Sequence, residues 1–164
     1  MAFDPLKILE VLQHHHVNVI VVGGMAAALH GSDMVTFDLD VTPERRRENL
    51  ERLSTALVHL HARIRIEGDH TGVAFEPTVD FLSQLIVLNL TTDFGDLDLV
   101  MSPAGLSGYD AMSEAARRVE IDGVSVQVAS LDDVITSKEA SNRAKDRLTL
   151  PGLRMLRRKN SEGG

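Results

Sequence analysis

The chain contains no cysteine. Disulfides and thiolate metal sites are therefore excluded, and a reducing cytoplasm is the expected compartment. It has no tryptophan, a single tyrosine and an aromatic fraction of 4%, too few rings to build a platform on which single-stranded bases stack. No apolar run approaches the roughly 20 residues that cross a bilayer, so no membrane partner is expected. Residues 1–12 lack the basic lead and long apolar centre of a signal peptide. Internal repeats and low-complexity stretches are absent, apart from a short glycine-ended tail.

What is present belongs to an ordinary globular chain. The 164 residues are 43% hydrophobic and 25% charged, which suits one domain over 1–164. The formal net charge is −7, which argues against a general nucleic-acid coat. Its distribution is uneven. From Lys138 to Lys159 eight basic residues face two acidic ones, a local charge of +6 that leaves −13 on the remainder. An acidic body with a basic C-terminal segment can focus a polyanion onto one end. A solvated, charged helix face accounts for the same pattern, and on charge alone that simpler reading is preferred.

Hydrophobic periodicity organises the rest. Leu6, Ile8, Leu9 and Leu12 predict a helix after Pro5. Asn18 to Val22 is a β-branched strand, broken by Gly23-Gly24 and followed by a short Ala-rich helix that Gly31 stops. Thr36 to Val41 alternates, with Phe37, Leu39 and Val41 on one face and Thr36, Asp38 and Asp40 on the other. Thr42-Pro43 predicts a helix start, with Thr42 as N-cap, running to about His59. Arg63 to Ile66 is a further candidate strand, Glu67 to Pro77 a loop, and Thr78 to Leu82 a helical turn. Leu85 to Leu90 and Asp96 to Met101 form a hairpin, and a helix over Tyr109 to Arg117 follows. Val119 to Val128 folds back around Asp122-Gly123, and Ser130 caps the helix that carries Lys138. A last helix reaches about Arg158, interrupted near Pro151-Gly152. This order predicts an α+β fold: a mixed β-sheet flanked by helices, with a core over about 17–130 and a C-terminal helical segment over about 130–158.

Two elements carry chemistry. Asp38 and Asp40 share one strand face, about 7 Å apart, and two carboxylates so held can bracket a pair of Mg²⁺ ions. Asp96 and Asp98, again on one strand face, offer a third carboxylate. Each strand alone reads as the wet face of an amphipathic strand. Four aspartates on two such faces, however, repel one another unless cations lie between them. The second element is Val19 to Gly31, a strand running through Gly23-Gly24 into a helix. Glycine allows close backbone approach, and amides at a helix start can hold phosphate. The pattern is neither the six-residue dinucleotide fingerprint nor a P-loop.

Taken together, Gly23-Gly24, the Ala-rich helix, His30-Gly31 and Thr36-Phe37-Asp38-Leu39-Asp40 resemble the signature of the polymerase-beta-type nucleotidyltransferase superfamily. Within it the chain resembles the abortive-infection (AbiE-type) nucleotidyltransferase toxins and their small relatives. Gly95 to Leu99 resembles the strand of the third carboxylate, and Ser130 to Ile135 followed by Lys138, Arg143, Lys145 and Asp146 resembles the C-terminal helical motif. The resemblance covers about Val17 to Leu156 and implies a nucleotidyltransferase fold and transfer of a nucleotide from an NTP, with Mg²⁺ or Mn²⁺ as cofactor. It implies that Asp38, Asp40 and Asp98 are catalytic metal ligands. Gly23, Gly24, Lys138, Arg143, Lys145 and Asp146 would bind the nucleotide, Asp146 by orienting the basic residues. It further implies a tRNA acceptor and a small antitoxin or regulator as partner; a protein or small-molecule acceptor, or a non-catalytic nucleotide-binding module, is the alternative. Where relatives often carry an arginine, two residues before Thr36, this chain has Met34.

Overall fold

A computed structural model describes residues 2–163; Met1 and Gly164, the ends of the expected 1–164 domain, lie outside the described residues. The elements are α1 (Pro5–His14), β1 (Val19–Val22), α2 (Gly23–Leu29), β2 (Asp38–Pro43), α3 (Arg47–His59), β3 (Arg63–Ile66), β4 (Asp69–Val73) and α4 (Val79–Ser83). They continue as β5 (Val87–Thr92), β6 (Gly95–Val100), α5 (Tyr109–Ser113), β7 (Arg117–Ile121), β8 (Val124–Val128), α6 (Leu131–Ser141) and α7 (Ala144–Glu162). Eight strands form one mixed sheet in the order β4-β3-β5-β6-β2-β1-β8-β7. This is the α+β architecture expected, a mixed sheet with helices around it and a helical segment at the C-terminus.

The central strands are the driest. Ile20, Val21, Leu39, Val41, Leu97 and Leu99 are fully buried, and α3 adds Leu50, Leu53 and Leu57 beneath them. Each such side chain stabilises the fold by about 1.5–3 kcal/mol relative to exposure. Strand β2 is held on both sides, antiparallel to β1 and parallel to β6. That double pairing fixes which of its residues point to the core and which to the wet face. Among the described residues, no helix is long and apolar enough to cross a membrane.

Several local expectations are corrected. Thr42 is not an N-cap. Strand β2 continues through Pro43, and the buried Thr42 hydroxyl donates to the Val100 carbonyl at 2.7 Å. The sheet pairing of Thr42 with Ile20 prevails over its capping propensity, and α3 begins four residues later. Its start is tied down by buried Asn49, whose side chain accepts from Asn18 N at 2.7 Å and donates to Asn18 O and Glu44 O. Phe37, expected on the core face, precedes the strand and is 76% exposed. The supposed loop from Glu67 holds β4, which turns back from β3 at Gly68 (φ +81°). Helix α5 stops at Ser113, and the chain re-enters the sheet at Arg117 as β7. Helix α7 runs unbroken through Pro151. Pro151 and Gly152 are exposed while Leu150 and Leu153 are buried, so the missing backbone donor falls on the water side and packing holds the helix together.

Candidate active site

The site lies on the wet face where β2 meets β6. Parallel register sets Asp38 opposite Asp96 and Asp40 opposite Asp98. Asp38, Asp40 and Asp98 each offer a carboxylate oxygen, all within 4.8 Å of one another. Burial first, and then the charge of Asp38, raises the pKa of Asp40. Burial and the charge of Asp40 push Asp98 up to about 7, against the opposing pull of Arg65. Three carboxylates this close are costly to ionise without a cation. An all-oxygen donor set of this size suits a hard divalent ion such as Mg²⁺ or Mn²⁺, with water and phosphate completing the shell. The residues present fit the metal that the sequence implies.

Gly23 is indispensable to this geometry on two counts. Its φ is +64°, and a Cβ there would collide with the Asp40 carboxylate. A Cβ on Gly24 would sit 3.0 Å from the Thr36 hydroxyl, which itself donates to Asp38 at 3.2 Å. The glycine pair therefore leaves bare backbone beside the carboxylates.

The C-terminal helices add positive charge to the same cleft. Gly24, Asp38, Asp40, Lys138, Arg143 and Lys145 all line it, with Met34 and Thr149 on its wall. Asp146, fully buried at the start of α7, organises this group. It faces Lys138 Nζ at 3.4 Å and accepts from Ser141 Oγ at 2.5 Å, Arg143 N at 3.1 Å and Arg143 Nε at 3.0 Å. Burial alone would raise its pKa; the donors from Arg143 and Ser141 outweigh burial and hold the carboxyl well below the usual range. Lys138, 7% exposed, is thereby kept beside the carboxylate triad. Lys145 is exposed.

All nine residues singled out in the sequence thus border one region. Arg65 was missed. Its guanidinium reaches Asp98 at 2.8 Å and Asp96 at 3.3 Å and donates to the Leu90 carbonyl at 3.1 Å. The alternation of Arg63-Ile64-Arg65-Ile66 marked a strand, but only the pairing of β3 with β5 brings that strand to the aspartates. His30 ends α2 and bonds the Ala129 carbonyl at 2.7 Å, a structural partner that accounts for it. The histidine run is accounted for elsewhere: His15 meets His59 at 2.8 Å where α1 and α3 end. A separate cavity of about 360 Å³ between α1 and β8 contains none of the site residues.

This fold is that of the nucleotidyltransferases, with the carboxylates on adjacent central strands and a glycine pair beside them. The chain belongs to the family described as nucleotidyltransferase of unknown function (DUF6036), which matches residues 5–151. No curated protein matches it in sequence. Solved structures share its fold at low identity. The lincomycin-bound lincosamide antibiotic adenylyltransferase LnuA superposes with a TM-score of 0.63 at 11% identity, over 93% of this chain and 95% of that one. ANT(2")-Ia in complex with adenylyl-2"-tobramycin gives 0.55 at 16%, over 98% and 97%. A Thermotoga maritima protein described as a candidate nucleotidyltransferase gives 0.54 at 17%, over 90% and 88%.

Proposed function

We propose that the chain transfers a nucleoside monophosphate from a nucleoside triphosphate to an acceptor hydroxyl, releasing pyrophosphate. The observation that carries this reading is the convergence of three carboxylate oxygens within 4.8 Å with Lys138, Arg143 and Lys145 around the same cleft. Asp38, Asp40 and Asp98 would hold divalent cations, which supply charge neutralisation for the triphosphate and for the leaving pyrophosphate. The glycine pair gives the phosphates room to approach the backbone. Lys138, Arg143 and Lys145 bind the phosphate chain, and Asp146 aims the first two. Asp98, buried and opposite Asp40 on the adjacent strand, takes the acceptor's proton. The protein's contribution is positioning and electrostatics, with no covalent intermediate.

For the acceptor, the tRNA that the resemblance implies draws little support from the basic C-terminal segment. Arg154 pairs with Glu139 at 3.4 Å and Arg157 with Asp132 at 3.8 Å, so two of the later arginines already have acidic partners on α6. The similarity in fold to a lincomycin-bound lincosamide antibiotic adenylyltransferase and to ANT(2")-Ia in complex with adenylyl-2"-tobramycin supports the small-molecule alternative. Calorimetry with each of the four NTPs tests the core of the reading. Binding is expected in the presence of Mg²⁺ and at least tenfold weaker in EDTA, because the carboxylates repel phosphate until a cation neutralises them. Equal affinity in both conditions, or no binding to any NTP, contradicts it.

A further inference from the structure

We infer, resting on the transfer reaction above, that the open cavity over β3, β5 and β6 is the acceptor site and that it takes a small, cationic, hydroxyl-bearing molecule. The cavity has a volume of about 460 Å³, the size of a small-molecule site. The sheet order fixes its relation to the carboxylates. On the β1 side of the triad, Lys138, Arg143 and Lys145 line a basic cleft with Asp38 and Asp40. On the β5 side, Asn89, Thr91 and Asp96 line the cavity. Asn89 stands in register with Asp98, and Thr91 with Asp96. Arg65 is the shared wall, lining the cavity while its guanidinium touches Asp98. A triphosphate drawn to the basic side fills that cleft. Attack on the α-phosphorus is roughly in line with departure of pyrophosphate, so the hydroxyl must arrive from the other side, where this cavity opens.

The two sides also differ in sign. Glu67 and Asp69, at the β3–β4 turn, and Asp96 give the cavity three carboxylates. Among the described lining residues Arg65 carries the one permanent positive charge and already serves Asp96 and Asp98, and His70 is the other basic side chain there. Asp69 is fixed in place by accepting from Thr71 N at 2.9 Å and Thr71 Oγ1 at 2.7 Å. Asn89 and Thr91 between the carboxylates are neutral groups suited to hydroxyls. An amine-bearing polyol matches this lining, whereas a polyanion meets like charge at the rim. In the reaction the acceptor oxygen bonds to the α-phosphorus, and the bond from that phosphorus to the bridging oxygen breaks. Pyrophosphate leaves with that electron pair, and the hydroxyl proton passes to Asp98 and on to water.

The test measures pyrophosphate release with the four NTPs and Mg²⁺. Glucosamine and 2-deoxystreptamine are compared with glucose and inositol, their neutral counterparts, and with total RNA. The amines are expected to react with a kcat/KM about tenfold above the neutral polyols. Replacing Glu67→Gln and Asp69→Asn together should raise KM for the amines roughly 5–10-fold, the effect of two exposed charge contacts. The same change should leave kcat and NTP affinity unaltered. Equal use of neutral polyols, faster pyrophosphate release with RNA than with the amines, or an unchanged KM in the double variant overturns the proposal. If NTP binds with Mg²⁺ and no amine is used, the acceptor site is refuted while the transfer reading stands. If no NTP binds, the transfer reading itself fails.

Discussion

Asp40 and Asp98 stand directly opposite each other on parallel strands, and each is harder to ionise than a free carboxyl: Asp40 because of burial and the charge of Asp38 on its own strand, Asp98 because of burial and the charge of Asp40. Sheet pairing holds them there: Leu39 and Val41 anchor one strand in the core, Leu97 and Leu99 the other. The intervening residues on the opposite face therefore cannot move apart. The fold keeps acidic groups closer together than free chains would, and a divalent cation or a proton relieves the repulsion.

Asp98 and Asp96 share a strand face but not an environment. Asp98 is 8% exposed and belongs to the triad; Asp96 has a side chain 38% exposed and lies beside the acceptor cavity. Asp98→Asn is expected to lower kcat by about 10²–10⁴, the range for losing a positioned proton acceptor. Asp96→Asn should cost less than about tenfold. Steady-state turnover of the two variants checks this, and the reverse ranking would show that the register is misread.

Gly23→Ala is expected to unfold more readily and to lose metal binding. The left-handed backbone costs a side chain about 1–2 kcal/mol, and the new methyl displaces the Asp40 carboxylate. Thermal unfolding with and without Mg²⁺ reads both effects. A variant stabilised by Mg²⁺ as strongly as the parent would contradict the close packing of Gly23 on Asp40.

Asp146 links the site to stability. Its folded pKa is depressed, so the stability it contributes is fully present above the unfolded value of about 3.9. That stability is lost as pH falls below this value toward the folded pKa. Asp146→Asn cannot titrate, so urea unfolding of this variant should show a shallower loss of stability on acidification. It should also be about 3–5 kcal/mol less stable at neutral pH, because Lys138 is left buried without its carboxylate. Parallel stability–pH curves for the two proteins would rule out this role.

Much of this was legible from residue patterns. Alternation in Asp38-Leu39-Asp40-Val41 and Asp96-Leu97-Asp98-Leu99 gave both strands and their wet faces, because each strand buries one side only. The Ser130 cap is as expected, accepting from Asp133 N at 3.1 Å. What was not legible depended on partners distant in sequence. Thr42 carries the local chemistry of a cap, yet its hydroxyl finds Val100, 58 residues away. Arg65 gives no sign of its role until β3 is placed next to β5. The exposed β4 segment, Asp69-His70-Thr71-Gly72-Val73, buries only Gly72, so it lacks the apolar alternation by which strands are read.

The central claim is tested most directly by following the two ends of the triphosphate in one reaction. The parent protein, Mg²⁺ and an amine-bearing polyol are incubated with an NTP labelled at the α- or the γ-phosphate. The account predicts that the α label becomes covalently attached to the acceptor while the γ label appears in pyrophosphate, and that Asp38→Asn with Asp40→Asn abolishes both. Transfer of the γ label to the acceptor, or release of the γ label as free phosphate with none in pyrophosphate, would contradict it.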